Sequence, residues 1–196
     1  MRAWWTGPLA FGALAVILVA SQAARRPPVP LPVLGTVPDF SVVAHDGRPL
    51  TRGALAGRVW LAEFIFTRCA GQCPLMARQT QRLLEALQDV PMRAVSFTVD
   101  PAYDTPAVLA AYAQRYGAQP GQWDFATGDP AALRALAVQG FRLAVGEGGP
   151  PDEPITHSVR LVLVDRDGAI RGLYDATDDE AMARLRADAR RLLAAP

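Results

Sequence analysis

The chain has 196 residues, enough for one domain with a sizeable core and short of two. Apolar residues make up 51% and charged residues 20%, the ordinary balance of a globular protein, and a net charge of +1 leaves no electrostatic footprint for nucleic acid. Lysine is absent and every strongly basic side chain is arginine, which reads as a composition bias rather than a functional mark.

Behind Arg2, residues 3–20 form an apolar run of 18 residues without a charge. That length is the lower limit for a membrane-spanning helix and long for the apolar core of a signal peptide. Ser21-Gln22-Ala23 supplies a small-x-small cleavage pattern. A buried core helix is disfavoured because the run has no polar face. Residues 1–24 therefore read as a signal anchor or a signal peptide, and either puts the remainder of the chain outside the cytosol. There a spare dithiol tends to oxidise. Residues 25–37 read as an extended linker, since residues 26–38 hold five prolines and no periodic apolar pattern. Residues 38–196 read as the folded domain.

Within the domain, residues 39–43 predict a short strand, followed by the Asp46-Gly47 turn, on which His45 reads as an exposed turn residue. Residues 59–66 (V-W-L-A-E-F-I-F) are nearly continuously apolar, the pattern of a central strand covered on both faces. A helix follows near Pro74 and runs past Met76, Leu83, Leu84 and Leu87. Residues 91–99 predict the next strand. Thr105-Pro106 and Asp129-Pro130 each carry the start signal of a helix, the first ending at Gly117 and the second near Gly140. Residues 141–145 predict a short strand and residues 146–154 a loop. Residues 158–164 and 169–174 predict a hairpin about Asp165-Arg-Asp-Gly168, and Thr177-Asp-Asp-Glu180 predicts a capping box opening the last helix. Helices between the early strands imply a parallel half, and the closing hairpin implies an antiparallel half. The expected fold is α/β, a thioredoxin-like mixed central sheet flanked by helices, with the membrane anchor at its N-terminus.

Cys69 and Cys73 are the only cysteines, in F-I-F-T-R-C-A-G-Q-C-P at a strand-to-helix junction. Residues four apart converge on one helix face, and a helix N-terminus stabilises a thiolate. Such a pair is a redox dithiol or a pair of metal-binding thiolates. An inert disulfide is the plain alternative, but so short a loop confers little chain-entropy stabilisation. His157, in P-I-T-H-S ahead of an apolar strand, makes with them a soft three-ligand set suited to copper or zinc. Asp100, after the strand of residues 91–99, falls on the same rim and reads as a group that hydrogen-bonds a ligand or orients His157. Asp104 and Thr105 read as helix caps.

Taken together, F-I-F-T-R-C-A-G-Q-C-P (residues 64–74), F-T-V-D-P-A-Y-D-T-P (97–106), G-D-P-A-A-L (128–133) and I-T-H-S-V-R-L-V-L-V-D-R-D-G (155–168) resemble the Sco/SenC family of membrane-tethered copper proteins that assist cytochrome c oxidase assembly. The resemblance implies a thioredoxin-like fold and copper, as Cu(I) or Cu(II), bound by Cys69, Cys73 and His157. It also implies that Cys69 and Cys73 cycle between dithiol and disulfide. It further implies a metallochaperone on the outer face of the cytoplasmic membrane, delivering copper to subunit II of the oxidase. Another copper chaperone or a thioredoxin-like reductase is a further expected partner. The alternative reading is a thiol–disulfide oxidoreductase acting on cysteines of a copper-site partner. It needs the cysteines and not His157.

Overall fold

The computed structural model describes residues 30–147 and 155–195, with the side chains of residue 147 and residues 155–157 outside that description. The signal anchor or peptide expected over residues 1–24 lies outside the described residues. Among the described residues no helix is long and apolar enough to cross a membrane.

The sheet is built on the expected central strand, β4 (Trp60–Ile65), every residue of which is buried. It pairs in parallel with β5 (Arg93–Thr98), which pairs in parallel with β6 (Trp123–Thr127). On its other edge β4 pairs antiparallel with β9 (Arg160–Val164), which forms the closing hairpin with β10 (Ala169–Asp175). Short strands complete the edges: β1 (Gly35–Thr36) on β10, and β2 (Ser41–Ala44) with β3 (Pro49–Thr51) beyond β6. The spatial order is β1-β10-β9-β4-β5-β6-β2-β3, with a separate two-stranded ribbon of β7 (Val145–Glu147) and β8 (Ile155–His157). The mixed sheet flanked by helices is the thioredoxin-like arrangement expected.

Among the described residues four α-helices cover this sheet: α1 (Gln72–Ala86), α2 (Pro106–Arg115), α3 (Pro130–Ala135) and α4 (Asp179–Ala194). The alternation of side chains along each strand sends Leu61 and Ile65 to the face packed by α1, α2 and α4, and Trp60, Ala62 and Phe64 to the face packed by α3. On that second face Phe64 stacks on Phe97 at 5.2 Å, and Phe141 meets Phe64 edge-on at 5.4 Å. The start signals of α2 and α3 act as predicted: Thr105 accepts from the Val108 N–H at 3.4 Å and Asp129 from the Ala132 N–H at 2.8 Å.

Several local expectations are corrected. β6 was not anticipated, and its residue Asp124 is wholly buried between Arg93 (2.7 Å) and Arg48 (3.0 Å). The linker's last residues are extended, as prolines require, yet belong to the sheet edge from Leu31 onward. The Leu31 carbonyl accepts from Arg171 at 2.8 Å, and the Leu34 N–H donates to the Ile170 carbonyl at 2.9 Å. Residues 141–144 are not a strand; α3 passes instead into a π turn (Leu136–Gly140) and the ribbon starts at Val145. The last helix is capped by Asp178, which accepts from the Glu180 N–H, while Thr177 turns back to Asp175. His45 is buried rather than exposed: its Nδ1 accepts from the Phe125 N–H at 3.1 Å, tying the turn to β6.

One carboxylate stands in the centre of the core. Glu63 lies between Leu61 and Ile65 on the same face of β4, so it points under α1, where it is 1% exposed. The hydroxyls of Ser96 (2.5 Å) and Thr80 (3.1 Å) donate to its two oxygens, and the Trp123 indole N–H donates to Ser96. Burial outweighs these donors and pushes its pKa up from 4.5 to about 7. Folding therefore takes up a proton between pH 4.5 and 7, and stability falls as pH rises through that window. Glu63→Gln is expected to match the parent at the acid end of the window and to exceed its stability above pH 7 by up to roughly 3 kcal/mol. Denaturant titrations across pH check this; parallel stability curves for the two proteins would contradict it.

Candidate functional site

β4 ends at Ile65, and the chain turns at once into α1, which begins with Gln72 and Cys73. Gly71, the residue ahead of the helix, has no side chain to cap it, and no acidic residue occupies the first turn. The exposed N–H groups of that turn are served by sulfur instead. The Cys73 N–H points at Cys69 Sγ at 3.4 Å, and the Phe66 N–H points forward to Cys73 Sγ, also at 3.4 Å. The Cys69 N–H donates in turn to the Phe66 carbonyl at 3.2 Å. Residues 66–73 thus form a small closed knot, its two thiols side by side at the carboxyl end of the parallel strands. Pro74, expected to open the helix, sits inside its first turn.

Both thiols are shielded: Cys73 is fully buried and Cys69 is 6% exposed. Their proton affinities are driven apart. The Cys73 thiol donates to the Cys69 sulfur, and this bond leads the effects that draw the Cys69 pKa down to about 4, against the opposing pull of burial. The N–H groups of Cys73, Gly71 and Gln72 add to it, as a helix N-terminus does. The same hydrogen bond, then burial, pushes the Cys73 thiol far up. At neutral pH the pair holds one proton between two sulfurs, with the charge on the more accessible one.

His157 is the last residue of β8, where it stands opposite Val145. Its side chain lies outside the described residues, so the structure does not bring it together with the sulfurs. Its backbone is placed nonetheless. β9 runs antiparallel to β4, with Trp60 opposite Val164 and Ala62 opposite Val162. The first residue of β9, Arg160, therefore lies toward the carboxyl end of β4, and His157 precedes it by three residues. Among the described residues no three side chains of the metal-ligating types come together.

Asp100 is on the rim, as expected, but its partner in the structure is Arg68: Oδ2 accepts from Nε at 3.1 Å and Nη2 at 2.5 Å. Asp104 does not cap α2, a role that falls to Thr105. It is fully buried and accepts from Thr67 and Thr98. Glu63 was missed in the sequence, though a lone carboxylate inside V-W-L-A-E-F-I-F was its signal; its charge bears on Cys73 from below α1.

The unequal sharing of the proton predicts that ultraviolet thiolate absorbance reports one thiolate per reduced chain at pH 7, lost on acidification through about 4. Cys69→Ser should lack that step, and Cys73→Ala should raise it, because its leading donor is gone. A wild-type transition centred near 9, the ordinary thiol value, would contradict the arrangement.

Comparisons with known proteins place the fold in one family. The SCO1/SenC family model matches residues 33–193. The SCO1 protein homolog of Bacillus subtilis is 32% identical over 146 residues, covering 73% of this chain and 75% of that protein. The structure of BsSco, a member of the Sco family of cytochrome c oxidase assembly proteins in which a disulfide switch was identified, is 28% identical with a TM-score of 0.75, covering 86% of this chain and 100% of that one. ScoI of Bradyrhizobium japonicum, solved with copper bound, is 25% identical with a TM-score of 0.68, covering 81% of this chain and 100% of that one. A match over nearly the whole described domain, with the knot of residues 66–73 inside it, makes this chain a member of the SCO1/SenC family.

Proposed function

We propose that this protein is a copper metallochaperone working outside the cytosol, tethered or exported through residues 1–24 ahead of the domain. Copper is its cargo rather than a resident cofactor. Cys69 and Cys73 supply thiolates and His157 supplies an imidazole, a soft set that suits Cu(I) and also accepts Cu(II). The observation that carries the reading is the pair of shielded sulfurs held side by side, with the Cys73 thiol drawing the Cys69 pKa well below its ordinary value. Such a site binds a thiophilic ion without first losing two protons. The copper bound by the Bradyrhizobium relative adds support. Three ligands leave the ion open to exchange, so transfer to an acceptor proceeds by stepwise ligand replacement. The acceptor we propose is the copper centre of cytochrome c oxidase subunit II.

A second reading is favoured by the same proton sharing. A low-pKa thiolate beside a protonated thiol is the state from which thiol–disulfide exchange proceeds: Cys69 attacks and Cys73 resolves. In that role the protein reduces cysteines of a copper-site partner, itself re-reduced by a thioredoxin-like reductase. The disulfide switch of BsSco lends it weight.

His157→Ala separates the two. The chaperone reading expects one copper per reduced wild-type chain. It expects Cu(II) affinity to drop more than about tenfold in the variant, since losing a ligand costs at least what losing a ligand's supporting partner does. Unchanged Cu(II) affinity removes His157 from the site, and disulfide reductase activity that survives His157→Ala but not Cys69→Ser moves the assignment to the oxidoreductase.

A further inference from the structure

The segment between β5 and α2 aims three side chains at Thr67 and Arg68, the two residues immediately ahead of Cys69. Asp104 is fully buried at 0% exposure. Its Oδ2 accepts from the Thr67 N–H at 3.2 Å and the Thr98 hydroxyl at 2.5 Å, and its Oδ1 accepts from the Thr67 hydroxyl at 2.5 Å. The second tie is outside. Asp100 holds the Arg68 guanidinium, which lies 4.6 Å over the exposed ring of Tyr103.

A carboxylate buried in this way is costly unless several donors serve it. Any polar neighbours would satisfy that need, yet two of the three donors belong to one residue of the cysteine knot, 37 positions earlier in the chain. Thr67 adjoins Phe66, whose N–H serves the Cys73 sulfur and whose carbonyl takes the Cys69 N–H. Fixing the peptide at Thr67 therefore fixes both ends of the knot. The Arg68–Asp100 pair is half in solvent and contributes less, because exposed ion pairs are weak.

We propose that Asp104 is a positioning residue for the cysteine pair: its buried carboxylate locks Thr67 so that the N–H groups of Phe66 and Cys73 stay aimed at the two sulfurs. The inference rests on the cysteine pair being the working site of the proposed function, but it concerns the pair's geometry without copper. The aimed donors favour the reduced pair. Oxidation joins the two sulfurs and passes two electrons and the pair's one proton to the disulfide of a redox buffer, which takes its second proton from water and becomes a dithiol. Loosening the lock weakens the donors in the reduced form and so makes the disulfide easier to form.

The test is equilibration of the metal-free protein with a dithiothreitol redox buffer, reading the Cys69–Cys73 potential. Asp104→Asn removes the negative charge and replaces one accepting oxygen by a donating NH2, so it accepts from at most two of the three donors, and more weakly. It is expected to shift the equilibrium about tenfold toward the disulfide, ~30 mV more negative. Thr67→Val keeps the N–H bond and drops the hydroxyl bond on a half-exposed residue. It should shift the potential the same way by less, and it decides the matter alone if Asp104→Asn does not fold. Asp124→Asn, which opens an equally buried network remote from the knot, should lower the unfolding midpoint and leave the potential in place. Wild-type potentials in both Asp104→Asn and Thr67→Val would overturn the proposal, as would an equal shift in Asp124→Asn. A wild-type protein that takes no copper counts against the proposed function alone, since copper is absent from this measurement.

Discussion

The interaction on which the rest depends is the reciprocal pairing of backbone N–H groups with sulfur at the turn from β4 into α1. Phe66 reaches forward to Cys73 and Cys73 reaches back to Cys69, each at 3.4 Å. A helix entering without a side-chain cap leaves donors unsatisfied. Here sulfur accepts them, and these N–H groups add to the Cys73 thiol in drawing the Cys69 pKa down. The asymmetry of the two thiols comes first from the hydrogen bond between them and from the deeper burial of Cys73, with the helix end reinforcing it. Both proposed roles draw on it: a thiolate is the species that binds copper and the species that attacks a disulfide.

The fold supplies what that knot needs. Parallel strands β4 and β5 end at the same rim, so the segments leaving them, Thr67 to Cys69 and Asp100 to Asp104, face each other by topology rather than by chance. Antiparallel β9 starts toward that rim, three residues after His157. Beneath α1 the buried Glu63, with its hydroxyl donors, keeps a polar and titratable group within electrostatic reach of Cys73. Glu63 carries a stability cost at neutral pH, a local conflict of the kind that proteins retain where function sits.

Much of this was legible in the sequence because its signals are local. An unbroken apolar run named β4, Thr-Pro and Asp-Pro named the starts of α2 and α3, and Asp165-Arg-Asp-Gly168 named the closing hairpin. Gly168 holds the φ of +80° that the turn requires. What was hidden is long-range. β6 carries a charge at its second residue, and two arginines brought by other segments, with the Gly121 N–H, make Asp124 tolerable inside a sheet. β1 and β3 are two and three residues long and exist because an edge is there to receive them. Asp104 precedes a helix and reads as a cap, since nothing in the sequence announces that Thr67 waits across the rim. His45 reads as a turn residue for the same reason, its partner lying on a strand 80 positions away.

The central claim is that the two sulfurs of the knot and the imidazole carried by β8 act on one copper ion. X-ray absorption at the copper edge tests it most directly, on the reduced protein loaded with a single equivalent of copper. The account predicts a first shell of sulfur from Cys69 and Cys73 together with an imidazole signature that disappears in His157→Ala. A shell of oxygen and nitrogen alone, with both cysteines still titrating as thiols, would contradict it.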